Sequence, residues 1–245
     1  MDSSGASPRA AKGWRADGLA LMGSHYHWNF APVFANADVL WAGAIGTLRL
    51  FVICVVLGFG FGLVVGLGRH ARSRWAFLPA TAFVEFFRNT PVLVQILWFY
   101  YALPILLPFE ISPLAASALG ISLNSAAFSA EIYRGGIESI EPGQAEAARA
   151  IGMTHAQAMR RVILPQALRR MLPALTNRGI EIFKMTTLAS AVAYVELLEQ
   201  GKLLASLNFN PIETYTVIAI VFFLFLFPLV QATYALERRL GRSDA

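Results

Sequence analysis

The sequence predicts an all-α, polytopic membrane protein, and three observations carry that prediction. Mean hydropathy is +0.55. Charged residues make up only 14% of the 245-residue chain, against roughly 25% in soluble domains. Uncharged apolar runs of the length of a membrane span recur between clusters of arginine. Disorder and an ordinary cytosolic enzyme are excluded by the same numbers. Five spans of about 20 residues would use about 100 residues, leaving room for one sizeable loop and the ends. The single cysteine, Cys54, can form neither an internal disulfide nor a four-ligand zinc site. A net charge of +5 would suggest nucleic acid in a soluble chain. In so apolar a chain, with basic residues scattered along span borders, it reads as topology and no nucleic-acid partner is expected.

The elements follow in order. Residues 1–38 form a polar N-terminal tail, with an interfacial group around Tyr26, Trp28 and Phe30. Its longest apolar stretch, Leu19–Met22, is too short for the core of a cleaved signal. Residues 39–237 form the transmembrane region. Leu50–Gly68 is uncharged, opens at Arg49, and carries Gly58, Gly60, Gly62 and Gly66, which allow close helix approach in a membrane. Trp75–Phe87 and Pro91–Phe109 flank Arg88-Asn89-Thr90-Pro91. Proline starts a helix readily and disfavours helix just before it, so an interrupted span is predicted. Ile111–Ala130, rich in Ala, Ser and Gly, should pack on helices rather than face lipid. Leu172–Leu198 is apolar with internal charges. Tyr215–Leu236 is the clearest span, with Pro228 as a kink. Residues 238–245 form a cytoplasmic tail.

Charge tests the five-span count. Of 20 Lys and Arg residues, twelve fall on the proposed inner side: Arg69, Arg72 and Arg74; Arg134 and the five arginines of the central loop; and Arg238, Arg239 and Arg242. Four (Arg9, Lys12, Arg15, Lys202) fall outside. This asymmetry places the N-terminus outside and the C-terminus in the cytoplasm.

The loop of residues 138–170 is too polar to span and too patterned for slack linker. Pro142 starts a helix through Gln144–Ile151, a run of strong helix formers. Gly152 fits a left-handed stop. Thr154 and Gln157 form a capping box for a second helix, His155–Ile163, with Arg160 and Arg161 in its last turns and Pro165 just beyond. On residues alone, a solvated hairpin without a partner has about even weight.

Glu146-Ala147-Ala148, Gly152, Val162 and Leu164-Pro165, at their observed spacing, resemble the EAA loop of ABC-importer permease subunits. Phe86–Pro91, Ala130–Ile137, Gly143-Gln144 and Leu164–Ala167 are similar to the polar amino-acid branch, the histidine/glutamine/glutamate permeases. The resemblance spans about residues 40–240. It implies a type I ABC importer transmembrane domain with a cytoplasmic coupling-helix loop in a bacterial cytoplasmic (inner) membrane. It also implies a dimer of ATP-binding cassette subunits, a second permease subunit (copy or paralogue), and an extracytoplasmic amino-acid-binding protein. ATP and Mg would sit on the partner ATPase, with no cofactor and no catalytic residue in this chain. Coupling residues by resemblance are Glu146, Ala147, Ala148, Gly152, Leu164 and Pro165. His27-Trp28-Asn29 and Gln200–Leu204 are similar to glutamate/aspartate permeases; glutamine and other polar amino acids remain open. Met185-Thr186-Thr187-Leu188 departs from the usual pattern of a polar residue followed by Thr-Ser-Leu.

Charges inside spans are costly and usually face a path or a partner. Arg178, Glu181 and Lys184 share one helix face, with Asn177 four before Glu181. The pattern reads either as a self-neutralising ladder or as a polar lining for a zwitterion, which needs donors and acceptors. Glu85 with Arg88, and Glu131 with Arg134, form further pairs that more simply fix span ends. The four histidines show no metal spacing, and Gly201-Lys202 lacks the rest of a phosphate loop. Two other functional classes fit the sequence less well. A membrane-embedded enzyme using intramembrane Glu and Arg lacks a nucleophile–base or metal constellation. A secondary transporter would usually show two related halves, and none is found.

Overall fold

A computed structural model describes residues 26–71 and 73–241. Arg9, Lys12, Arg15, Leu19–Met22, His25, Arg72 and Arg242 lie outside the described residues. The described chain is helical, without strands: α1 (Ala31–Ala35), α2 (Ala37–His70), α3 (Arg74–Asn89), α4 (Val92–Leu106), α5 (Pro113–Glu138), α6 (Pro142–Ala150), α7 (His155–Met185), α8 (Leu197–Asn208) and α9 (Pro211–Gly241). A π turn over Trp98–Ala102 interrupts α4, another over Met159–Ile163 interrupts α7, and a 3₁₀ segment, Thr186–Val192, follows α7.

Helix α2 is apolar on every face, and so is α9. Each is long and apolar enough to cross a membrane alone. Their outward residues, among them Val52, Val56, Phe61, Val64, Phe223 and Leu224, are exposed. Such a continuous apolar surface belongs in lipid rather than water. The expected first span, Leu50–Gly68, lies inside the longer α2, and Arg49 is an exposed residue within it rather than its boundary. A long guanidinium stem can carry its charge along the helix toward an interface.

Helices α3 and α4 qualify as a span only together, and they are bent by 104° at Thr90-Pro91. This is the interrupted span expected from Arg88–Pro91. Helix α5 runs through the middle of the bundle. Ser117, Ser125, Ser129, Ala116, Ala126 and Ala130 are fully buried, as its small-residue composition predicts. Its N-terminus is capped by Ser112 Oγ, which accepts from Ala115 N at 3.2 Å.

The contact between α2 and α5 is the most extensive in the fold. A Cβ added at Gly58 would lie 2.8 Å from Ser125 Cβ. One at Gly62 would lie 2.8 Å from both Ala126 O and Ser129 Cβ, whereas one at Gly60 would meet nothing within 4 Å. Three of the four glycines therefore set the helix approach, and Gly60 does not. Gly62→Val should destabilise the solubilised protein by about 1–3 kcal/mol, the usual range for overpacking. Gly60→Val should leave it near the parent. Thermal unfolding in detergent, followed by the monodisperse fraction on gel filtration, measures both. Equal losses would remove the close-approach account.

The expected single span over Leu172–Leu198 is corrected. Helix α7 ends at Met185, the 3₁₀ segment follows, and the chain turns at Ala193, which has φ 54°. Glu196 then caps α8, accepting from Glu199 N at 2.6 Å and Leu198 N at 2.9 Å. The bend packs against α2: Leu197 N donates to Thr47 Oγ1 at 3.1 Å, and the Tyr194 hydroxyl donates to Gly46 O at 3.1 Å. These tertiary bonds outweigh the modest penalty of a left-handed alanine.

Residues 26–30 take no regular secondary structure, whereas α1 and the start of α2 fall within the 1–38 tail. Tyr26 donates to Glu213 Oε2 at 2.5 Å and Asn29 N donates to Glu213 Oε1 at 2.8 Å, pinning the segment to the first turn of α9. The carboxylate holding its proton raises the Tyr26 hydroxyl pKa. Trp28 and Phe30 stack at 5.5 Å.

Candidate functional site: a loop hairpin and a charge track

Helix α6 begins at Pro142, whose missing N–H costs nothing at a first helical position. Its end is a Schellman motif: Met153 N donates to Ala148 O at 3.1 Å and Gly152 N to Arg149 O at 2.9 Å. Gly152 occupies the left-handed position with φ 87°. Thr154 and Gln157 then form the capping box, with Gln157 N donating to Thr154 Oγ1 at 3.3 Å and Thr154 N donating to Gln157 Oε1 at 2.9 Å. The hairpin packs on itself through Ile140, Ile163, Ala167 and Met171, with Ala145 against them. Gln166 Nε2 also donates to Gln144 Oε1 at 3.3 Å.

Two expectations for this segment change. The helix starting at His155 does not end before Pro165 but continues to Met185. The π turn Met159–Ile163 sits immediately before Leu164-Pro165. Its wider ladder accommodates a ring that would clash with the carbonyl four residues earlier. Arg160 and Arg161 therefore lie near the start of a long helix, not in last turns. Ala148 is buried within the hairpin, so it does not offer a surface to a partner. Glu146, Ala147, Gly152 and Pro165 are exposed. Ile151 is 74% exposed and Leu164 37%.

The second arrangement lies inside the bundle. Arg178 on α7 is 4% exposed. Its Nη1 donates to Glu181 Oε2 at 2.7 Å and its Nη2 to Asn124 Oδ1 at 2.8 Å and Ser125 Oγ at 3.4 Å. Its guanidinium carbon stands 4.3 Å from the Phe128 ring centroid, and that of Arg88 stands 5.1 Å from the same ring. One aromatic residue thus joins two cations, an arrangement favoured by the ring quadrupole. Arg88 continues to Glu131 at 3.9 Å. Glu131 is a hub that also pairs with Arg69 and, at 2.8 Å, with Arg134. Arg134 reaches Glu138 at 2.6 Å, where the loop begins. Arg170 donates to Ser139 O beside it.

This geometry rearranges the expected pairs. Arg178 with Glu181, and Glu131 with Arg134, are formed. Glu85 and Arg88 do not pair: Arg88 turns to Glu131, while Glu85 accepts from Asn89 Nδ2 at 3.2 Å. The ladder stops at Glu181, because Lys184 is exposed and enters no ion pair among the described residues. Asn177 is also exposed. Sequence reasoning missed Asn124, Phe128 and Arg69. Asn124, Phe128 and Glu131 are spaced by four and then three, so they share one face of α5; that stripe was the available signal.

Comparison with known proteins adds identity to this geometry. The family model described as binding-protein-dependent transport system inner membrane component matches residues 58–242. The probable amino-acid permease protein YxeN of Bacillus subtilis (strain 168) is 38% identical over 178 residues, covering 72% of this chain and 80% of that protein. The glutamine transport system permease protein GlnP of Escherichia coli (strain K12) is 35% identical over 214 residues, covering 87% and 98%. A crystal structure of an amino acid ABC transporter with histidines superposes with TM-score 0.82 at 34% identity, covering 87% of this chain and 100% of that chain. The inward-facing MetNI methionine ABC transporter, at TM-score 0.69 and 24% identity, shares the fold. Membership of this family implies ATPase and substrate-binding partners and an inner-membrane location. The chain belongs to the binding-protein-dependent transport system inner membrane components, the permeases of ABC transporters, and is a transport subunit rather than an enzyme.

Proposed function

We propose that this permease imports a polar amino acid, with the 138–170 hairpin docking on the ATP-binding subunits and the Arg178 region lining the path. The observation that carries the reading is the likeness to a glutamine permease over 87% of the chain. The site geometry supports it. An amino acid brings a carboxylate and an ammonium, and Arg178 with the exposed Glu181 offers one group of each complementary sign. The exposed Ile151, Ala147 and Glu146 offer the ATPase an apolar step beside a carboxylate. In this reading ATP and Mg are held by the partner subunits, a second permease completes the pathway, and an external binding protein delivers the substrate.

Uptake by the complete importer in proteoliposomes tests this. Labelled glutamine, glutamate, arginine and histidine are offered with unlabelled competitors. One polar amino acid should outcompete the others by about tenfold or more, equivalent to about 1.4 kcal/mol of discrimination, and only with ATP. Uptake driven by an ion gradient without the ATP-binding subunits would favour a secondary transporter instead.

Five spans with the N-terminus outside and the C-terminus inside complete the proposal. Leu207, 76% exposed, and Gln157, also exposed, lie on opposite sides in that topology. A membrane-impermeant thiol reagent added outside should modify Leu207→Cys and miss Gln157→Cys. Modification of both from one side would overturn the topology.

A further inference from the structure

The break between α3 and α4 leaves backbone carbonyls without helical partners, Phe87 O and Thr90 O among them. Pro91 has no N–H for Phe87 O. The new helix starts with Gln95 N donating to Pro91 O at 3.1 Å, which leaves Thr90 O outside the ladder. Buried carbonyls in a membrane must find other donors. Gln95 Nε2 supplies both, at 3.1 Å to Phe87 O and 3.0 Å to Thr90 O. Gln95 belongs to α4 itself. A second donor to Phe87 O comes from a different helix: Asn124 Nδ2 on α5, at 2.7 Å.

The other end of the same amide accepts from Arg178 Nη2 at 2.8 Å. Asn124 is 2% exposed. Its amide is planar, with donor and acceptor at fixed separation, so rotating it to follow one partner abandons the other. Arg178 therefore touches the break through one rigid side chain. A second route runs beside it, because the Phe128 ring lies between Arg178 and Arg88, the residue after Phe87.

We propose that Asn124 is a positioning residue that ties the angle of the α3–α4 break to the hydrogen-bonding state of Arg178. The functional sense of this coupling rests on the reading that Arg178 lines the substrate path. A substrate carboxylate drawing on the Arg178 fork would then bias the break, and the break would bias the affinity of the fork reciprocally.

The test reads the break directly. Spin labels at Phe86→Cys on α3 and Ile105→Cys on α4, both exposed positions, are placed in a Cys54→Ala background. The complete transporter is assembled in lipid nanodiscs with excess unlabelled chain, so that each complex carries at most one labelled subunit. A change of roughly 15° at the break would move Ile105, about 20 Å along α4, by about 5 Å. Asn124→Leu and Arg178→Met should each shift or broaden the distance distribution by this order, and the double variant should add nothing further. Asn124→Asp, which keeps an acceptor for Arg178 but loses the donor to Phe87 O, should behave like Asn124→Leu. Co-elution with the ATP-binding subunits verifies assembly of each variant. A parent-like distribution in Arg178→Met, additive shifts in the double variant, or a parent-like Asn124→Asp would each overturn the proposal. Altered amino-acid preference with unchanged distances would overturn the coupling while sparing the substrate path. Distances that shift as expected beside unchanged preference would sink the path and leave the coupling standing.

Discussion

Replacing Gly152 with valine should abolish ATP-driven uptake while leaving the protein in the membrane. The residue has φ 87°, and an added Cβ would meet nothing within 4 Å. The penalty therefore comes from backbone conformation and not from crowding. For an ordinary residue a left-handed conformation costs about 1–2 kcal/mol, and more for a β-branched one. Once the Schellman bonds to Ala148 O and Arg149 O are lost, the hairpin has no fixed turn. Because space is free, the series should be graded by conformational preference: Gly152→Asn mild, Gly152→Ala intermediate, Gly152→Val severe. Co-purification of the ATP-binding subunits and uptake should fall together along the series. Normal assembly and uptake in the valine variant would remove the coupling assignment.

Arg178→Lys should lower uptake by about 10- to 100-fold with the complex still assembled. The guanidinium serves Glu181, Asn124, Ser125 and the face of Phe128 at once. An ammonium keeps the charge but cannot fork. Losing one charge-assisted contact from the guanidinium fork to a substrate carboxylate would cost about 1.5–3 kcal/mol, which sets the fold-change. A charge-conserving exchange, Arg178→Glu with Glu181→Arg, is not a neutral control here. Position 178 is enclosed while Glu181 is 57% exposed along its side chain. A carboxylate at 178 would face Asn124 Oδ1 and the negative face of an aromatic ring. The lysine variant separates path from packing. Impaired uptake with parent-like thermal stability supports the path, and parallel losses in both indicate a structural pair.

What was legible in the sequence was local. Gly152, Thr154 with Gln157, and Pro142 were readable because each acts on backbone within a few residues of itself. Arg178 with Glu181 was readable because helical spacing brings them together. Spacing alone pairs Arg88 with Glu85; its actual partner, Glu131, comes close only through the packing of α3 on α5. Asn124 looked like one more small polar residue in a helix of Ala and Ser, and its role exists only where α3, α5 and α7 meet. The turn at Ala193 had no signal, since alanine rarely adopts a left-handed conformation unless tertiary bonds impose it. Pro165 reads as a stop in sequence because proline usually ends helices. That rule assumes an α ladder, and a π turn relaxes it.

That last exception has a mechanical consequence. Without a stop at Pro165, His155–Met185 is one lever, about 45 Å long at 1.5 Å per residue. Its N-terminal end carries the capped hairpin and its later turns carry Arg178. A tilt of roughly 10° at the hairpin would sweep the far end through about 8 Å, more than the diameter of a water molecule several times over. Motion imposed at the hairpin would thus reach the cation along a single helix, with the π turn over Met159–Ile163 and Pro173 as the points where that helix can bend.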